Sequence, residues 1–187
     1  MAAVPLPSVW PRTFSVLGVG ACSIFLTFAW EDRVNGAKAL SLLLSSIDPQ
    51  DSNSSIVAGL GFILASFIAG ELLIQSSCRV MNHQGNDKIA RRAARLAKAD
   101  NLFLQNSITS KINVAELIFA VAVIGILIGF YFFLPAFSGS GWGSFSFAML
   151  SSIVIALFLR RIGLKLVDEA DNELDIYEQL TSLEHLK

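Results

Sequence analysis

The sequence predicts an all-α integral membrane protein, a bundle of four transmembrane helices carrying a small cytoplasmic helical layer. Three observations predict it. The 187-residue chain is 53% hydrophobic and only 16% charged, against about 25% charged for a soluble domain, and its mean hydropathy is +0.60. The apolar residues are gathered into four blocks with the charges between them, as in a chain whose solvent is partly lipid. Lysine and arginine are concentrated in alternate connectors, so one topology accounts for all three positive segments.

The first block runs from about Thr13 to Trp30 and stops at Glu31-Asp32-Arg33. Its length just spans a bilayer core of about 30 Å at about 1.5 Å per residue. A secretory signal is the competing reading, since Arg12 precedes the run and Val19-Gly20-Ala21-Cys22 faintly resembles a lipoprotein cleavage site. The apolar stretch nevertheless continues past Cys22, which a cleaved signal does not need. The second block covers about 55–75 and is interrupted only by Glu71; the third covers about 112–137, with Glu116 near its start and Pro135 near its end. The fourth covers about 145–159 and stops at Arg160-Arg161. Backbone in lipid must satisfy its own hydrogen bonds, so each block is expected to be helical.

Between blocks two and three lie Arg79, Lys88, Arg91, Arg92, Arg95, Lys98 and Lys111; Arg160, Arg161 and Lys165 follow block four, and Arg12 precedes block one. The opposite connectors hold only Arg33 and Lys38. The positive-inside bias therefore places both termini and the middle loop in the cytoplasm, in a plasma or bacterial inner membrane rather than an organellar one. Trp10, Trp30 and Trp142 fall at the expected borders, where indole prefers to sit. Ala39–Ile47 is apolar enough to lie along the outer surface as a short helix, and Asn53-Ser54-Ser55 matches a glycosylation acceptor too close to block two to be reached.

Residues 1–165 thus form the transmembrane domain, including a basic loop helix over 86–104. Asn86 or Asp87 caps that helix, and Ile89, Ala93, Leu96 and Ala97 make an apolar stripe beside Arg91, Arg92, Arg95 and Lys98. A basic amphipathic helix beside a bilayer binds anionic headgroups or a protein partner. The absence of interleaved aromatics argues against nucleic acid. Residues 166–187 form an acidic amphipathic tail continuing from block four, with Leu166, Ala170, Leu174, Tyr177, Leu180 and Leu183 at spacings of three and four. Its stripe, including Leu174, Tyr177 and Leu180, needs a partner, and the basic loop helix is the economical one.

Small residues recur every fourth position in three blocks: Gly61, Ala65 and Ala69; Gly125 and Gly129; Ala148, Ser152 and Ala156. Such rows let backbones approach, within one bundle or between subunits. Glu71 and Glu116 are the carboxylates inside the blocks, at similar depth near the cytoplasmic border, and an ion-pair cluster with Arg160 and Arg161 is expected there. Neither glutamate is near mid-membrane, where transporters usually bind their substrate.

Cys22 falls near mid-membrane and Cys78 at a surface, so they are not expected to pair. His83 and His185 lie outside the blocks, so no haem ligand is expected within the membrane. The chain has no HExxH, CxxC, GxSxG or P-loop pattern and no metal-ligand spacing, so no catalytic residue, metal or cofactor is assigned. The expected function is that of a non-enzymatic membrane subunit that forms a homo-oligomer or joins a membrane complex. It would dock or regulate a cytoplasmic partner through its loop and tail. The alternative is an oligomeric ion channel, a pore-forming effector or a small transporter.

Overall fold

The computed structural model describes residues 9–35, 38, 41, 42, 45, 52–82, 86–99, 101–133 and 142–184. For residues 9–11, 34, 35, 52–55, 86, 87, 132, 133, 142–148 and 184 only the backbone is described. Among the described residues are five helices and no strand: α1 (Val9–Asn35), α2 (Ser52–Asn82), α3 (Asn86–Lys98), α4 (Leu102–Phe133) and α5 (Trp142–Glu184). Three are long and apolar enough to cross a membrane, over Arg12–Arg33, Ile56–Asn82 and Leu102–Tyr131. The expected run 145–159 lies within α5, but the side chains of its first four residues, Ala148 included, lie outside the described set. So do those of Trp10 and Trp142, both histidines, Pro135, and most of the expected Ala39–Ile47 helix. Of that segment, Leu42 N donates to Lys38 O at 3.0 Å, one helical turn.

The molecule is two helix pairs, α1 on α2 and α4 on α5, joined by contacts of α4 with α1 and α2. The first pair meets through glycine. A Cβ built on Gly20 would overlap the Ser66 carbonyl, and one on Gly70 would overlap the Val16 carbonyl. With no side chains in the way, the two backbones touch, which is how helices gain dispersion energy where lipid removes the hydrophobic drive. The inward row of α2 is therefore Ser66, Gly70, Ile74, Ser77 and Met81, all buried. The row read from the sequence, Gly61–Ala65–Ala69, lies one position away: Gly61 and Ala65 are exposed and Ala69 is half-buried. One residue is about 100° around a helix, enough to exchange a packed row for an outward one.

The second pair is centred on Phe119, 1% exposed, whose ring edge lies against Gly163 where any side chain would collide. Met81, Ala115, Ala122, Ala156 and Val167 complete this core. A second cluster, Val16, Val19, Ile74, Ala120 and Ile124, joins the two pairs. Ala156 of the expected small-residue rows is thus inward, Ser152 and Gly125 are half-buried, and Gly129 is buried. A Cβ on Gly125 would meet nothing within 4 Å.

The outward faces are as apolar as the cores. α2 exposes Ile56, Val57, Leu60, Ile63, Leu64, Phe67, Ile68 and Leu72, and only 11% of its spanning window is buried. A chain presenting that surface to water would aggregate; in lipid it is solvated. Two hydroxyls of α1 inside the band turn back on their own helix, Ser23 to Gly20 O and Thr27 to Ser23 O, each at 2.8 Å.

Helix lengths differ from the blocks. α4 begins at Leu102, not near Ile112, and the loop helix stops at Lys98 instead of reaching residue 104. Asn101 explains both. Its Oδ1 accepts from Phe103 N (3.0 Å) and Leu104 N (3.2 Å), an N-cap that starts a new helix. The Gln105 amide donates back to Leu96 O and Ala99 O, closing the last carbonyls of α3. α5 runs unbroken for 43 residues, about 65 Å at helical rise. That is about twice the thickness of a bilayer core. The first turns of α4, the second half of α5 and α3 make a polar lobe cored by Ile108, Ala170 and Leu174.

Candidate functional site

The lobe is closed by charge. Two cations of α3, Arg92 and Arg95, meet carboxylates of α5. Arg92, 7% exposed, holds Asp171 with both ends of its fork: Nε donates to Oδ1 at 2.5 Å and Nη2 to Oδ2 at 2.6 Å. Such bidentate pairing fixes orientation as well as charge. One turn further, Arg95 Nη2 donates to Asp175 and its Nε to Glu178, at 2.5 and 2.7 Å. The Glu178 bond, then that to Asp175, raises the Arg95 pKa above the ordinary arginine value, so this side chain stays cationic wherever the protein is folded. From α4, Lys111 Nζ reaches Glu173 at 2.5 Å, and Ser107 donates to the same carboxylate.

The expected headgroup- or partner-binding set therefore divides. Arg92 and Arg95 are engaged by the tail, whereas Arg91 and Lys98 are exposed. Of the tail residues, Leu174 is buried, Tyr177 is half-buried and Leu180 is exposed. Leu180 belongs to an outward row with Ile176 and Leu183, and Leu102 and Phe103 at the start of α4 are exposed as well.

A second charged group lies at the start of α1. Arg12 Nη2 donates to Glu71 Oε1 at 3.2 Å and stands 3.8 Å from Glu116 Oε2. The Gln75 amide adds a second donor to Glu71 at 3.3 Å. Three helices, α1, α2 and α4, thus converge where the apolar band begins. The cation in this cluster is Arg12 rather than the expected Arg160 and Arg161. Arg160 Nε donates instead to the Met81 carbonyl (2.9 Å), closing the end of α2, and Arg161 is exposed. α1 runs antiparallel to α2, and that brings its first cation onto Glu71. Nothing in the spacing of residues 12 and 71 announces this. The lone cation before block one, with two carboxylates of matching depth, is the signal that was available.

Beside this cluster is a cavity of about 140 Å³ lined by Arg12, Ser15, Ser110, Asn113, Glu116 and three aliphatic side chains. An apolar groove of about 390 Å³ lies toward the other border, walled by Leu26, Thr27, Trp30, Leu127 and Tyr131 among others. There, Arg33 stacks over the Tyr131 ring at 4.8 Å and ties α1 to α4. Among the described residues, no group of three or more His, Cys, Asp or Glu side chains is arranged to hold a metal ion. Cys22 and Cys78 are both free thiols.

The chain matches no family model, no curated relative and no solved structure.

Proposed function

We propose that this protein is a four-span, non-enzymatic membrane subunit that presents its polar lobe to a cytoplasmic partner or to a second copy of itself. The observation that carries the reading is the outward apolar row of the lobe. Ile176, Leu180 and Leu183 are each 58–59% exposed, and Phe103 is 84% exposed. They stand beyond the apolar band on α5, which the Arg92 and Arg95 ion pairs clamp to α3, and on α4, which Lys111 ties to Glu173 of α5. A rigid element with unburied leucines outside lipid has the form of a docking surface.

The fourth span is supported by the described part of the run in α5. Leu150, Val154, Ile155, Leu157 and Phe158 are all more than half exposed, like the outward residues of α2. The orientation rests on the basic connectors, which put the lobe in the cytoplasm. Exposed Arg91 and Lys98 can then meet anionic headgroups.

The test is a double substitution, Ile176→Glu with Leu180→Glu, in full-length protein purified in mild detergent. Both positions face outward, so helicity and monodispersity are expected to be kept while partner recovery or the oligomer is lost. A wild-type chain that is strictly monomeric and partnerless would remove this reading. The exposed Gly61–Ala65 row favours the second reading, an oligomeric pore assembled in the membrane. Ion flux through liposomes holding the purified protein alone, no greater than through empty ones, would dispose of the pore.

A further inference from the structure

The geometry points to a binding site for a primary ammonium group, that of a phosphatidylethanolamine headgroup, in the cavity beside Arg12 and Glu116. The two carboxylates of the border cluster are not equally satisfied. Glu71 accepts from both Arg12 and Gln75. Glu116 faces the same guanidinium only at 3.8 Å, beyond hydrogen-bond distance, and its side chain is 29% exposed. Among the described residues one guanidinium serves both carboxylates, and at the border of lipid an under-compensated charge is costly.

Glu116, not Glu71, lines the cavity, and the other polar walls are Ser15, Ser110 and Asn113. Each of these side chains carries an oxygen that can accept. A carboxylate with neutral oxygens around it is complementary to a cation with several N–H donors. An ammonium has three such donors, whereas the trimethylammonium of choline has none. The volume, about 140 Å³, is several times the roughly 10–15 Å³ that one water needs on the same measure. Arg12 is also a wall of the cavity, and its side chain is 45% exposed, so the guanidinium is open to a phosphate. Cation and anion sites stand side by side at the depth where headgroups lie. The pattern suits a zwitterion with a free amine.

The test measures thermal unfolding of the full-length protein in micelles doped with equal fractions of phosphatidylethanolamine, phosphatidylcholine or phosphatidylglycerol. Phosphatidylethanolamine is expected to raise Tm above either other lipid. Glu116→Gln is expected to weaken that binding about tenfold, the worth of one charge-assisted hydrogen bond, with helicity unchanged. Should Glu116→Gln fold poorly, Asn113→Leu removes a wall oxygen without touching the ion pair and is expected to reduce the same preference. Free ethanolamine raising Tm equally in phosphatidylcholine micelles would keep the ammonium site and assign it to a soluble amine. Equal shifts with phosphatidylethanolamine and phosphatidylcholine, an equal shift with phosphatidylglycerol, or a preference surviving Glu116→Gln would each overturn the proposal.

Discussion

Arg92 is a guanidinium almost out of water, paired with the Asp171 carboxylate. Removing one partner of a buried pair is costly because the other charge is left behind, about 3–5 kcal/mol when both are fully buried. Asp171 keeps 31% of its side-chain exposure, so water relieves part of that cost. Arg92→Met is expected to destabilise the lobe by about 2 kcal/mol, read as earlier proteolytic cleavage within α3. The exchanged pair Arg92→Asp with Asp171→Arg should recover part of it. Adding salt should loosen the more exposed Arg95 contacts before the Arg92 pair, because a buried pair is less screened. Protection of α3 that is indifferent to Arg92→Met would mean that Leu96 and Ala99, not charge, hold the helix.

At the scale of elements, the α1–α2 crossing depends on two glycines and on a serine that does something different. Gly70→Leu has nowhere to go, since a single Cβ already overlaps the Val16 carbonyl. It is expected to part the helices and to lower Tm more than any substitution at exposed Gly61. Ser66 is buried with its hydroxyl unpartnered among the described residues, so Ser66→Ala keeps the close approach and loses only an unsatisfied polar atom. It should be neutral or stabilising by up to about 1 kcal/mol. A crosslink between cysteines placed at Val16 and Gly70 would report the crossing only if the glycine tolerated it. The Phe25–Phe62 ring contact at 5.7 Å offers a milder pair for that measurement.

For the whole molecule, the decisive measurement is topology. If four helices cross, the lobe's α3, the tail of α5 and the start of α1 share one side of the membrane. Single cysteines at Arg91, at Glu178 and at Arg33 in a chain whose Cys22 and Cys78 are replaced should then label from the cytoplasm, the cytoplasm and the outside respectively. The Arg92–Asp171 contact already requires α3 and the tail to share a side. Labelling of Glu178 opposite Arg91 is therefore incompatible with this fold, and labelling of both from outside would invert the orientation.

Clumped apolar blocks, basic connectors and an acidic tail at helical spacing were legible along the chain, because lipid solvation, positive-inside bias and periodicity are properties of local composition. They yield helices, their approximate lengths and the docking of opposite charges in the lobe. Which face of α2 turns inward was not legible. Two rows of small residues stand one position apart, at 61–65–69 and 66–70, and single-helix periodicity rates them alike. Only backbone contact with Gly20 separates them. The same holds for the partner of Glu71 and Glu116: depth predicted a cation, but antiparallel pairing chose Arg12 over Arg160. Composition tells each residue which solvent it prefers. Which neighbour it meets depends on the rotation and crossing of whole helices, and those are decided only when the helices pack.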